Sequence, residues 1–301
     1  MSGGLPALLL ALAPVPLAAQ PKVTVVFSSG PTGGTWSPMA AATAEAVKRR
    51  FPEIDVQVEP GAALVNMEKL RNDRADIAWS ATTVLSDARA GVNAWEGKRT
   101  DKALVVASFY PNVWQLAVPA DTDIRTFADL KGKAVALPPR GNTSLSEGWE
   151  LLLKLHGMRL DDLGTKSFGS PTENAELIRN RQAVAMGWFV SVPAPYMLDL
   201  GTSRKLRLLS LSSDVVDKLR KMNPGFARCV IPRDVYAKYG VEEDVLTVQT
   251  ITILVAHPKT PAGVVYKITR AIVEGRDDFA RVTAAMKGVR SRINPLALMS
   301  R

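Results

Sequence analysis

The chain reads as an α/β protein of two lobes, each a mixed, mostly parallel sheet flanked by helices, with a ligand cleft between the lobes. Three observations predict this. Strand-like and helix-like segments alternate along the whole chain, as βαβ units do. A strand–glycine turn–helix unit occurs twice. Val23-Thr24-Val25-Val26-Phe27 runs into Gly30-Pro31-Thr32-Gly33-Gly34 and a helix opening at Ser37-Pro38, and Lys133-Ala134-Val135-Ala136-Leu137 runs into Pro139-Arg140-Gly141-Asn142 and a helix opening at Thr143-Ser144. Finally, 301 residues are too many for one small core and comfortable for two.

The elements follow in order. Ser37 is placed to cap a helix over about 37–50, with Pro38 in its first turn. Ile54–Glu59 alternates as a strand, and Pro60-Gly61 turns it into a helix near 63–72. Leu70–Trp79 and Ile178–Trp188 repeat one design: the end of an amphipathic helix, a polar turn, then a short apolar strand. A helix starts at Thr82 or Thr83, and Leu104–Tyr110 and Trp114–Pro119 are two further strands. Ser144-Leu145-Ser146-Glu147 and Ser170-Pro171-Thr172-Glu173 both fit capping boxes. Leu206–Leu211 and Thr247–Ala256 are strands, the second rich in β-branched residues and so buried. A last amphipathic helix starts near Pro261 and carries Val264, Val265, Ile268, Ile272 and Phe279 on one face.

No linker composition separates independent domains, so the lobes are expected to be joined by two crossing strands. The first lobe is read as 21–115 plus 212–301 and the second as 116–211. Leu5–Leu17 is apolar and ends at Leu17-Ala18-Ala19-Gln20, the pattern of a secretory signal over about the first 20 residues. Export to the periplasm follows as the expectation.

Composition narrows the function. Hydrophobic residues at 47% and charged residues at 22% describe an ordinary globular protein. The net charge of +9 is spread among acidic residues rather than gathered in a stripe, which speaks against a nucleic-acid binder and for a mildly basic surface that draws in anions. One cysteine, Cys229, allows no internal disulfide and reads as a small buried hydrophobe. The chain has no Gly-x-Ser-x-Gly, no Cys/His cluster, no His-x-x-x-His and no Walker A motif, and Gly30–Gly34 lacks dinucleotide spacing. No enzyme, cofactor or metal is therefore expected.

Each helix start exposes unpaired N–H groups and the positive end of a macrodipole. Two such starts, one per lobe, predict a cleft that closes on a small carboxylate. Gly30-Pro31-Thr32-Gly33-Gly34-Thr35-Trp36-Ser37-Pro38 resembles the opening motif of TAXI-type solute-binding proteins, the extracytoplasmic subunits of one class of TRAP transporters. The resemblance continues through Leu70–Trp79, Ser108-Phe109-Tyr110-Pro111, Phe127–Ala136, Thr247–Val255 and Val265–Thr269. It implies a type II periplasmic binding protein fold, a glutamate- or dicarboxylate-like solute and a membrane-embedded TRAP permease as partner, with the binding protein itself a monomer. An ABC importer or a sensor with the same fold is the alternative, and a bilobed enzyme on a similar fold is a further rival. The chain departs from the family at Gly61-Ala62-Ala63, where a hydroxyl is usual, and at Arg140, where small residues are usual.

The candidate ligand contacts are Thr32, Gly33, Gly34, Thr35 and Trp36 in the first turn, and Ser80 and Thr82 beyond a buried strand. Tyr110 lies before the crossover, with Trp114 and Gln115 close behind. Arg140, Asn142, Thr143 and Ser144 form the second turn, and Trp188 ends a strand with Phe189. Competing structural roles stand beside these: an N-cap for Thr82, a solvated loop arginine for Arg140, and core packing for Trp114 and for one of Trp188 and Phe189.

Overall fold

The computed structural model describes residues 22–31 and 34–282. The expected signal over 1–20 and two predicted contacts, Thr32 and Gly33, lie outside the described residues.

In the first body, β1 (Val23–Ser28) pairs in parallel with β2 (Ile54–Glu59) and β3 (Ile77–Ala81). Helices α1 (Trp36–Arg50) and α2 (Ala63–Arg71) make the crossovers, and α3 (Thr82–Ala90) leaves the end of β3. The long strand β4 (Leu104–Pro119) then runs out of this body. Two expected strands are thus one. Pro111 is absorbed because the ladder with the last long strand slips beside it, from Ile251↔Pro111 to Ile253↔Ser108. Such a slip is where a residue without an N–H is tolerated.

The second body is built on β5 (Val135–Leu137), β6 (Lys166–Phe168) and β7 (Ala185–Val190). Strand β5 pairs in parallel with both β6 and β7, and β7 pairs antiparallel with the far half of β4. The helix after β5, α4, begins as a π-helical stretch, Ser144–Glu150, and continues as the α-helix Leu151–Leu155. Helix α5 (Pro171–Arg179) has the expected capping box, with the Ser170 hydroxyl and the Glu173 carboxylate each accepting the other's backbone N–H. Helix α6 (Pro195–Ser203) leads to β8 (Leu206–Leu208), three residues shorter than expected, which pairs with β4.

Helix α7 (Ser213–Met222) and β9 (Ala227–Ile231) precede β10 (Val245–Ala256), which lies antiparallel between β3 and β4 and also pairs β9. Helices α8 (Ala262–Glu274) and α9 (Arg276–Val282) close on the first body, with Phe279 packed against its core beside Ala271 and Ile272. The sheet order is β2-β1-β3-β10-β4-β7-β5-β6, so β10 and β4 are the shared central pair.

Among the described residues the apolar side chains gather in four clusters. Val25, Phe27, Trp79 and Phe109 lie on one face of the first sheet, and Met67, Leu70, Val84 and Trp95 on the other. Trp114, Trp149 and Leu152 centre a third cluster, and Met186, Met197 and Tyr236 a fourth. Residues of the 213–248 stretch belong with these last two: Val215, Val216, Leu219, Phe226 and Val248 join Trp114, while Ile231, Val241 and Val245 join Met186.

Candidate functional site

The two bodies meet over a cavity of about 600 Å³, open mouth included. The first body contributes Pro31, Gly34, Thr35 and Trp36 from the turn into α1, Ala62 and Ala63 at the start of α2, and Ala81 at the end of β3. The second contributes Asn142 and Thr143 before α4, Pro171 at the start of α5, and Trp188, Phe189 and Val190 of β7. Tyr110, Asn112 and Thr250 of the shared strands complete the wall. Seven predicted contacts therefore face one hollow: Gly34, Thr35, Trp36, Tyr110, Asn142, Thr143 and Trp188.

The first socket lies on the cavity wall. Helix α1 starts after Thr35 with no side-chain cap among the described residues and no acidic residue in its first turn, so nothing on the helix itself neutralises its positive end. Ser37, expected to cap it, lies inside the helix instead. Trp36 is held by its indole N–H, which donates to Thr252 Oγ1 at 3.2 Å, and the Asn112 amide donates to the same hydroxyl.

The second socket is closed by its own chain. The Asn142 carboxamide accepts the Ser144 N–H at 2.8 Å, and the Asn142 carbonyl accepts the N–H groups of Leu145 and Ser146. The predicted capping box at Ser144 and Glu147 is absent. Ser144 Oγ instead accepts the Phe189 N–H at 2.9 Å and so fixes the end of β7, which takes Ser144 off the cavity wall. The other predicted contacts off the wall are placed as follows. Arg140 is exposed over the Phe168 ring at 5.9 Å. Ser80 is fully buried within β3. Thr82 is bound to the chain, donating to Gly225 O at 2.9 Å and accepting from the Ile251 N–H. Gln115 also serves the structure, accepting from the Tyr236 hydroxyl at 2.7 Å and donating to Val190 O and Ser191 O. Trp114 is core. Cys229 is half-buried rather than buried, and burial pushes its thiol pKa up, away from nucleophilic use.

Two donors on the wall are unsatisfied. Trp188 Nε1 (residue 3% exposed) and the Tyr110 hydroxyl (1%) have no hydrogen-bond partner among the described residues. Thr252, Thr35 and Trp36 lie beside that hydroxyl without reaching bonding geometry, and burial raises its pKa, so it stays a proton donor.

One organising residue gave no sequence signal. Asn66 in α2 is fully buried, accepts from Ser28 Oγ at 2.7 Å and donates to the carbonyls of Ser28, Ser29 and Trp79. It ties the ends of β1 and β3 to α2 directly behind the first socket. Gly61 makes room for it, since a Cβ there would lie 1.9 Å from Asn66 Oδ1.

Over residues 27–297 the chain matches the NMT1-like family, and it belongs to that family. Among solved structures it is similar to PhnD1 from Prochlorococcus marinus in complex with methylphosphonate, with 12% identity, 90% of this chain and 92% of that one covered, and a TM-score of 0.57. It is similar to the periplasmic binding protein BugD, with 15% identity, coverage of 93% and 92%, and a TM-score of 0.56. It is also similar to a structure described for glutathione import via GshT and the cystine ABC importer TcyBC of Streptococcus mutans, with 13% identity, coverage of 89% and 96%, and a TM-score of 0.51. The expected periplasmic binding protein fold is what these share with the chain.

Proposed function

We propose that this protein is the solute-binding subunit of a membrane importer and holds a small organic acid or amino acid in the cavity between its lobes. One observation carries the reading: a single hollow is walled by both bodies and by the two strands that join them. A ligand there makes some of its contacts only when the lobes are together, so it shifts the population towards the closed form. The packing of 213–248 supports taking the second lobe as about 116–248, with β4 and β10 as the crossing strands.

An ABC importer is favoured as the partner, since one similar structure is described for import via GshT and the cystine ABC importer TcyBC. A TRAP permease is the second reading, favoured by the Gly30–Pro38 segment. The apolar N-terminal segment fits delivery outside the inner membrane.

Ligand retained through native purification, seen by native mass spectrometry, tests the reading. Replacing the cavity-lining Val190 by Trp should fill the hollow and abolish that binding while the fold persists. Thr35→Ala and Thr143→Ala should weaken it. Unchanged binding across all three variants would place the site elsewhere.

A further inference from the structure

We infer that the solute is a singly charged organic acid with an apolar body and no ammonium group, an inference that rests on the cavity being the binding site. Among the described residues on its wall none is Asp, Glu, Lys, Arg or His. An ammonium group in such a site would be stripped of water with no carboxylate to receive it, and a second acid group would find no cation. Dicarboxylates and amino acids, the solutes implied by the opening motif, both ask for a partner this wall lacks.

What the wall does offer is donors. The start of α1, uncapped among the described residues, supplies the N–H groups of Trp36 and Ser37, Pro38 having none, and roughly half a positive charge. Trp188 and Tyr110 line the cavity, and Trp188 Nε1 and the Tyr110 hydroxyl are buried with no hydrogen-bond partner among the described residues. An unpaired buried donor is costly, so an acceptor group brought by a solute is favoured beside either. The second helix start spends its donors on Asn142, which leaves one charge-accepting socket rather than two. The rest of the surface is rings and methyls: Trp36, Phe189, Ala62, Ala63, Ala81 and Pro171. One acceptor-only head and an apolar remainder match both parts.

The experiment is isothermal calorimetry on the whole mature protein with benzoate, benzamide, phenylalanine, glutamate and 2-oxoglutarate, alongside native mass spectrometry of protein purified without refolding. Benzoate binding at least about tenfold tighter than each of the others is the expected result. Tyr110→Phe keeps the ring and removes one donor, whereas Trp188→Phe removes its donor together with the pyrrole half of the indole, so the stability comparison is made on Tyr110→Phe. Each should weaken benzoate about tenfold, and with Tyr110→Phe the unliganded protein should melt no lower, because an unsatisfied buried group has been removed. A structural role for these donors would instead lower the melting temperature and leave affinity alone, and that result overturns the inference. Glutamate, phenylalanine or 2-oxoglutarate binding as tightly as benzoate overturns it too, yet leaves the cavity as the site. A copurified compound carrying an amine or a second acid group does the same. Silence from the whole panel, with only the bare protein mass in the native spectrum, overturns both the inference and the reading beneath it.

Discussion

Two side chains that touch no predicted ligand hold the cavity in shape. Asn66 satisfies the Ser28 hydroxyl and three carbonyls at once from a fully buried position. Removing it strands several polar groups, each worth about 1–3 kcal/mol when left unpaired. Asn66→Ala should therefore lower the unfolding free energy by about 3 kcal/mol or more, read as a fall in the urea midpoint at unchanged slope. Ser144 carries a second case. Its hydroxyl accepts the Phe189 N–H, so Ser144→Ala should cost about 1–3 kcal/mol of stability, with affinity affected only through the position of β7. Glycine packing is a third. A Cβ on Gly148 would lie 2.0 Å from the buried Trp114 ring, and one on Gly187 would lie 2.6 Å from it. Either Gly→Ala change should destabilise by about 1–3 kcal/mol through overpacking, visible in the melting temperature. At this scale the sequence was only partly legible. Residue type shows that a hydroxyl or amide can bond, not whether it bonds a ligand or its own chain. Thr143 and Ser144 are neighbours with the same chemistry, yet one lines the cavity and the other anchors a strand. Asn66 sat inside a helix with nothing local to mark it, because all its partners are distant in sequence.

Among the elements, α4 is where local pattern and structure part. Its Ser144–Glu147 spacing matches a capping box as well as Ser170–Glu173 does, but only the second forms. The difference is tertiary. Asn142 already caps α4, and the π-helical turn carries Glu147 inward against α3, where the Thr83 hydroxyl and the Asp87 carboxyl face it. Glu147 is 9% exposed, its Oε2 has no partner among the described residues, and burial pushes its pKa from 4.5 up to about 8. Asp87 adds like-charge repulsion. Its own pKa is raised by burial, and Asn93 and Asn223 donate to it. Between pH 4.5 and pH 8 the folded chain keeps a proton on Glu147 that the unfolded chain has lost. Stability from this group is thus complete below pH 4.5 and is lost as pH rises through about 8. The loss is on the order of 3–5 kcal/mol. Glu147→Gln should flatten that part of the pH–stability curve and stabilise the protein at pH 8, measured by urea unfolding at several pH values. A parallel decline in the variant would move the responsible proton to another group. Elsewhere the elements were legible because their signals are local: the alternation of β2, the Pro-led start of α5 and the β-branched run of β10. The fusion of two expected strands into β4 was not, since Pro111 reads as a break until the slip in the β10 ladder is known.

For the molecule as a whole, the question is whether two lobes mean two unfolding units. Multi-domain chains often unfold in steps. Here the boundary is crossed by the interiors of β4 and β10, not by flexible links, and those strands are paired with each other from Leu104↔Ala256 to Val113↔Gln249. Each also supplies core to both bodies. Strand β4 gives Phe109 and Tyr110 to one and Trp114 and Leu116 to the other, while β10 gives Leu254 to the first and Val248 to the second. Melting either lobe therefore strips burial and ladder bonds from the strands that the other lobe needs. Thr82 adds a polar tie at the same place, bonding Gly225 between α7 and β9 and the Ile251 N–H of β10. One cooperative transition is the expected outcome, with hydrogen exchange in graded urea as the readout. The most protected amides of β1 and β3 and those of β5 and β7 should converge on one opening free energy. Bound ligand at a hundred times its dissociation constant should raise that shared value by about 2.7 kcal/mol in both lobes together. A plateau several kcal/mol lower in β5–β7, or a ligand effect confined to one lobe, would show instead that the crossing strands join the lobes without coupling their unfolding.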